Sequence, residues 1–284
     1  MPMTVLSPKE YPLSLREIPD PPAKLWLRGS LPSPETKLLT VVGSRALSRY
    51  GREACDMLIE GLAGYPISIV SGLALGTDAC AHRAALRYGL HTIAIPGSGL
   101  ADQVIGPRSN RGLARDILEN GGALVSENEP DHIARSYDFP SRNRIMAGIA
   151  DAVLIIEAGP TSGTLITMRL ASDYSRELLC VPHRIGDPHG FGAQLFLRIG
   201  AALVTEPKHI LEALRIPERD AGVARPLPLL SPNERRIYDL LQEPRERDDL
   251  IRAASMAPGE TLTTLISLEL KGVVQELFGL WQRR

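Results

Sequence analysis

The run Ala152–Ile156, AVLII, has no polar interruption and is too short for a helix, so it reads as a strand buried on both faces. Before it, Arg142-Asn143-Arg144 stands at the opening turn of a helix; after it, a Gly/Ser/Thr turn at Gly159–Thr164 opens another. A strand buried on both faces needs partners, and the chain supplies them. Strands are expected at Leu38–Val42, Ile67–Val70, His91–Ile95, Ala123–Val125, Glu177–Val181 and Ala202–Val204. Helices are expected over 48–62, 79–88, 111–119 and 205–214. Strands separated by helices of this length take crossover connections, which predicts an α/β fold with a doubly wound, mostly parallel, Rossmann-like sheet.

In a parallel sheet every strand-following loop reaches the carboxyl edge, where open α/β sheets take ligands. Those loops are Gly43-Ser44-Arg45, Ser71-Gly72, Pro96-Gly97-Ser98-Gly99, Ser126-Glu127 and Gly159–Thr164 with Ser162-Gly163-Thr164. Tight turns need glycine in any case, yet the convergence of several such loops favours a phosphate-bearing ligand. Arg142 and Arg144 read either as a solvated helix face or, with Phe139 before them, as charge beside a stacking platform of the kind single-stranded nucleic acid prefers. Phe139 equally suits a hydrophobic staple with Ser141 as cap.

Asp78 and His82 share a helix face but lack a third catalytic member, which leaves a capping Asp beside an ordinary His. Glu157, at a strand end, is placed to order a neighbouring turn by accepting N–H bonds. A third glycine is missing after Gly97-Ser98-Gly99, and GxxxxGK[ST] is absent, so neither a Rossmann oxidoreductase nor a P-loop NTPase is indicated. No cofactor is expected. Cys55, Cys80 and Cys180 are far apart and suggest buried thiols rather than a disulfide or metal site.

The 284 residues carry a net charge of −1, so contact with a polyanion would depend on a local patch. The first residues show no basic segment followed by an apolar one, and no apolar run approaches a membrane span, which predicts a cytoplasmic protein. Residues 1–37, rich in proline, are expected to form an arm with one edge strand, pinned by Trp26. The core is expected over 38–215, a linker over 216–230 and a second domain over 231–284. In that second domain Ser231-Pro232-Asn233-Glu234 is a capping-box start, and three short helices with a hairpin suggest a winged helix-turn-helix. From Ser231 to Arg284 there are 8 Lys/Arg and 9 Asp/Glu, which suits a protein-contact module or a weak DNA contact.

Together Gly43-Ser44-Arg45, SGLALGTDACAH at 71–82, Ser126-Glu127, FPSRNRIMAG at 139–148, Glu157 with SGTLIT at 162–167, and Val181-Pro182 resemble the DNA-processing protein A (DprA/Smf) family over nearly the whole chain. The resemblance implies a cytoplasmic, non-catalytic protein that binds and protects single-stranded DNA, forms a homodimer and helps load the RecA recombinase in natural transformation or recombination. Position by position, it implies a DNA groove lined by Ser44, Arg45, Ser71, Gly72, Phe139, Arg142, Asn143, Arg144, Ser162, Gly163 and Thr164, with Gly43 at its first turn. The pattern is broken at Leu75, where the family has arginine, and at Thr77 for isoleucine. It is broken again at Gly106-Pro107 for Tyr-Pro and at His183 for glycine. The core also resembles, more distantly, the lysine-decarboxylase-like phosphoribohydrolases, of whose PGGxGTxxE signature only Pro96–Gly99 and Ser162–Thr164 are fragments. A nucleotide-sensing regulator with the winged helix as output is the remaining alternative.

Overall fold

A computed structural model describes residues 2–218 and 230–283, and the chain divides into two compact units, Met1–Glu218 and Arg219–Arg284. In the first, the elements run β1 (Met3–Leu6), α1 (Leu13–Arg16), β2 (Leu25–Gly29), β3 (Lys37–Val42), α2 (Arg49–Glu60), β4 (Ile67–Ser71), α3 (Thr77–Arg87) and β5 (His91–Ala94). They continue with α4 (Arg111–Glu119), β6 (Ala123–Ser126), α5 (Asp138–Ile149), β7 (Ala152–Ile155), α6 (Thr164–Asp173), β8 (Glu177–Cys180), α7 (Phe191–Arg198), β9 (Ala202–Leu203) and α8 (Pro207–Ala213).

Nine strands form one sheet in the order β1-β2-β6-β5-β4-β3-β7-β8-β9. From β6 to β9 every neighbouring pair is parallel. Strand order reverses between β3 and β7, where Leu39 to Val42 pair with Ala152 to Ile155. The period of two along β3 builds both layers: Leu38 and Val42 pack under α5 and α6, Leu39 and Val41 under α2 and α3. Each such fully buried side chain contributes roughly 1.5–3 kcal/mol, which is why these strands read as continuous apolar runs.

The expected arm is not a separate appendage. Pro19, Pro21, Pro22, Pro32 and Pro34 fall between elements, leaving β2 free to pair antiparallel with β6 on one side and β1 on the other. The strand at Leu25 is thus interior and β1 is the edge. The last strand shrinks to Ala202–Leu203, and α7 precedes it where no helix was expected. Cys55 and Cys180 are buried, while Cys80 is only partly so. No helix among the described residues is long and apolar enough to cross a membrane.

Most of the expected linker, residues 219–229, lies outside the described residues. The second unit comprises α9 (Pro232–Leu240), β10 (Arg245–Glu246), α10 (Arg247–Ala253), α11 (Pro258–Leu270), β11 (Val274–Leu277) and β12 (Leu280–Arg283). Its strands form an antiparallel sheet, β10-β12-β11, the wing of a winged helix. The capping box is present: Glu234 N donates to Ser231 Oγ at 3.3 Å and Ser231 N to Glu234 Oε2 at 2.7 Å. Lys271 and Ser267 also donate to Glu234. The Lys271 bond, then the Ser231 and Ser267 bonds, hold its carboxyl down at about 2.

Candidate functional site

An open crevice of about 610 Å³ lies at the carboxyl ends of β3 and β7, at the reversal of strand order. Three loops and the start of α5 line it. The β3 loop is held by Thr77, which donates to the Ser44 carbonyl from its backbone at 3.0 Å and its hydroxyl at 3.2 Å. Gly76 makes this approach possible: its φ is +74°, and a Cβ there would run into the Ser44 and Arg45 carbonyls. Ser48 caps α2 by accepting from Gly51 N. Glu157, just past β7 and fully buried, accepts from Ser48 N at 3.0 Å and from Ser48 Oγ. On the far wall, Thr164 Oγ1 donates to Gly43 O at 3.0 Å, tying the N-terminus of α6 to the β3 loop. Ser162, Gly163 and Thr164 therefore present a helix N-terminus, with its partial positive charge, to the crevice.

The third wall is α5. Asp138 in its first turn accepts from Arg135 N at 2.6 Å and pairs with His132 Nε2 at 2.8 Å. Phe139 follows, its ring against Gly97 of the β5 loop, and the guanidinium of Arg45 lies over that ring at 5.1 Å. Arg45 is exposed. Arg142, one turn on, is buried and donates through Nη1 to Gly72 O at 2.7 Å and to Ile95 O, closing the ends of β4 and β5. Beside it Asp78 accepts from Gly72 N at 3.1 Å and Ala74 N at 3.2 Å. Burial pushes the Asp78 carboxyl up and the Arg142 guanidinium down, and each charge partly restores the other.

Of the expected groove residues, Gly43, Ser44, Arg45, Phe139, Arg142, Asn143, Ser162, Gly163 and Thr164 line the crevice. Ser71, Gly72 and Arg144 do not. Ser71 Oγ donates to Val41 O at 2.7 Å, and the Gly72 N–H is taken by Asp78. Arg144 points away, paired with Glu127 through Nη2 and lying 3.3 Å from Asp20 through Nε. The triplet thus does not supply free cations: Arg142 is spent on carbonyls, Arg144 on carboxylates, and Asn143 Oδ1 accepts from Arg142 Nε at 3.2 Å. Phe139 also lies inside α5, whose N-cap is Tyr137, so Ser141 is not the cap. Asp78 is more than a local cap, since it organises the β4 loop. Its position six residues after Gly72, in the first turn of the helix that closes a glycine-rich loop otherwise suited to anions, was the available signal.

The departures have structural places. Leu75 is 49% exposed on the β4 loop, and Gly106-Pro107 is a cis peptide. Thr77 holds Ser44, as above. His183 donates through Nε2 to Ile156 O at 2.8 Å and packs edge-on against Tyr50 at 5.3 Å, behind the β7 loop. It fills space that Gly190 leaves open.

The fold defines a Rossmann-like protein with an open crevice at the reversal of strand order, followed by a winged helix. The profile of the family described as DNA recombination-mediator protein A matches residues 2–215, and that of the DprA winged helix domain matches residues 222–279. The chain belongs to the DNA recombination-mediator protein A (DprA) family. It is 38% identical to Protein Smf of Escherichia coli over 283 residues, covering 95% of this chain and 74% of that one. With DNA processing protein DprA of Streptococcus pneumoniae the identity is 39% over 201 residues, covering 71% and 70% of the two chains. The X-ray structure of the S. pneumoniae protein superposes with a TM-score of 0.69 at 37% identity, covering 74% of each chain. A structure of DNA processing protein A from Helicobacter pylori, whose subject is a single-stranded DNA binding mode, superposes with a TM-score of 0.66 at 28% identity, covering 75% of this chain and 95% of that one.

Proposed function

We propose that the chain binds single-stranded DNA in the switch-point crevice, without catalysis. Phe139 stacks a base, Arg45 neutralises a phosphate, and the Ser162–Thr164 helix N-terminus receives the next phosphate. The observation that carries this reading is the exposed Arg45 guanidinium 5.1 Å over the Phe139 ring at the crevice mouth, a cation resting on an aromatic face that a base takes over once the guanidinium swings out to a phosphate. A gel-shift series with oligo-dT tests it. Loss of binding in both Arg45→Ala and Phe139→Ala is expected, and unchanged binding in the pair removes the proposed groove.

The cellular role that fits such binding is the family's: protection of the strand and help in loading RecA, by a homodimer in the cytoplasm. RecA-dependent strand exchange on strands coated by a single-strand-binding protein tests the loading, and sedimentation tests the dimer. The phosphoribohydrolase alternative is less well supported. Its signature fragments lie apart, Gly97 of the Pro96–Gly99 loop against the Phe139 ring and Ser162–Thr164 in the crevice lining, and Glu157 is turned to Ser48.

A further inference from the structure

The second unit presents to solvent what a DNA-reading winged helix would keep basic. Along α11, the helix such a fold would lay in a major groove, Leu262, Ile266 and Leu270 recur at four-residue spacing, with Ile266 54% and Leu270 85% exposed. Leu262 and Ile266 form one wall of a groove of about 460 Å³, and Trp281 and Gly279 of the wing form the other. Its rim carries Glu246, Asp248 and Glu276 against a single cation, Arg247, whose Nε lies 3.4 Å from Asp248 Oδ1. The only other cation of α11's end, Lys271, is bonded to Glu234.

Three occupants can be compared by charge. Duplex phosphates would meet three carboxylates and no free cation on the rim. A second copy, packed groove to groove about a two-fold axis, would set this acidic rim against the same acidic rim. A helix with an apolar edge and basic flanks meets both features at once, apolar side chains to the leucine and isoleucine wall and cations to the carboxylates. We propose that this groove is a protein-docking site for a short amphipathic helix flanked by lysine or arginine. The chain thereby joins a strand-binding core to a recruiting module, and the docking does not depend on the proposed DNA reading of the core.

The test uses the full chain with Trp26→Phe, which leaves Trp281 as the sole tryptophan. The probe is a synthetic helical peptide with leucine at i, i+3, i+4 and i+7 and lysine elsewhere. It is expected to shift Trp281 emission saturably, about tenfold more weakly in Ile266→Glu and severalfold more weakly in Glu246→Gln/Glu276→Gln or in high salt. The same peptide with glutamate for lysine is expected to give no shift, and oligo-dT affinity is expected to be equal in all variants. Ile266→Ser, smaller at a half-exposed site, repeats the readout if glutamate unfolds the unit. The proposal is overturned by no shift, or by equal binding in the Ile266 variants or to the acidic peptide. It is likewise overturned if the groove mutations abolish binding of a short duplex or self-association of the chain instead.

Discussion

Arg142 occupies the space that Gly72 leaves open: a Cβ on Gly72 would overlap the guanidinium, which donates through Nη1 to the Gly72 carbonyl at 2.7 Å. One residue has no side chain so that another, 70 positions on, can bury its charge beside Asp78. Gly72→Ala should therefore destabilise the core as severely as losing the arginine. Both should cost on the order of 3–5 kcal/mol, Arg142→Met because it leaves Asp78 buried without the charge beside it, and Gly72→Ala because its Cβ drives the buried guanidinium off its carbonyls. Urea denaturation measures this, and two stable variants would refute the clamp.

Arg45 and Phe139 should behave in the opposite way. Arg45 is exposed and Phe139 half-buried, so Arg45→Ala should leave the denaturation midpoint nearly unchanged while weakening oligo-dT binding. Phe139→Ala should lose about 1–3 kcal/mol of binding, the value of one base stacked on an aromatic ring. Fluorescence anisotropy with labelled oligo-dT separates binding from stability.

The salt dependence should be shallower than three engaged arginines would give. With Arg45 the exposed cation of the crevice lining, the slope of log K against log salt should lie near −0.7 rather than about −2. Arg144→Ala should leave that slope intact yet lower stability by freeing Glu127, with which Arg144 is paired. A steeper slope, lost in Arg144→Ala, would return that residue to the groove.

His82 should make the core acid-sensitive. It is fully buried, and burial lowers its value from 6.5 to about 3. The unfolded chain therefore takes up this proton first, so the contribution is complete above pH 6.5 and is lost as pH falls toward 3. The urea midpoint should fall with acid over that range, and less so in His82→Asn. An imidazole NMR titration near pH 6 would contradict this placement.

In the second unit the sign is the same and the window lower. Glu234 is held at about 2 against 4.5, chiefly by Lys271, so its contribution is present above pH 4.5 and lost as pH falls toward 2. Acid unfolding of this unit, followed by Trp281 emission in the Trp26→Phe chain, should lose much of its steepness in that range in Glu234→Gln.

Local pattern by itself determined the parallel core, the cap at Ser48, the capping box at Ser231 and the return of the strand-following loops to one edge. Those features depend on periodicity and on contacts within a few residues, which a sequence displays directly. It did not display β2 as an interior strand, because proline density describes where elements end and not which strand they pair with. Nor did it separate Arg45, exposed at the crevice mouth, from Arg142 and Arg144. Those two arginines are alike in sequence, and what distinguishes them is whether Gly72, Ile95, Glu127 or Asp20 arrives within hydrogen-bond reach. Only the tertiary structure decides that, because a charge buried against distant partners must satisfy them before it can serve a ligand.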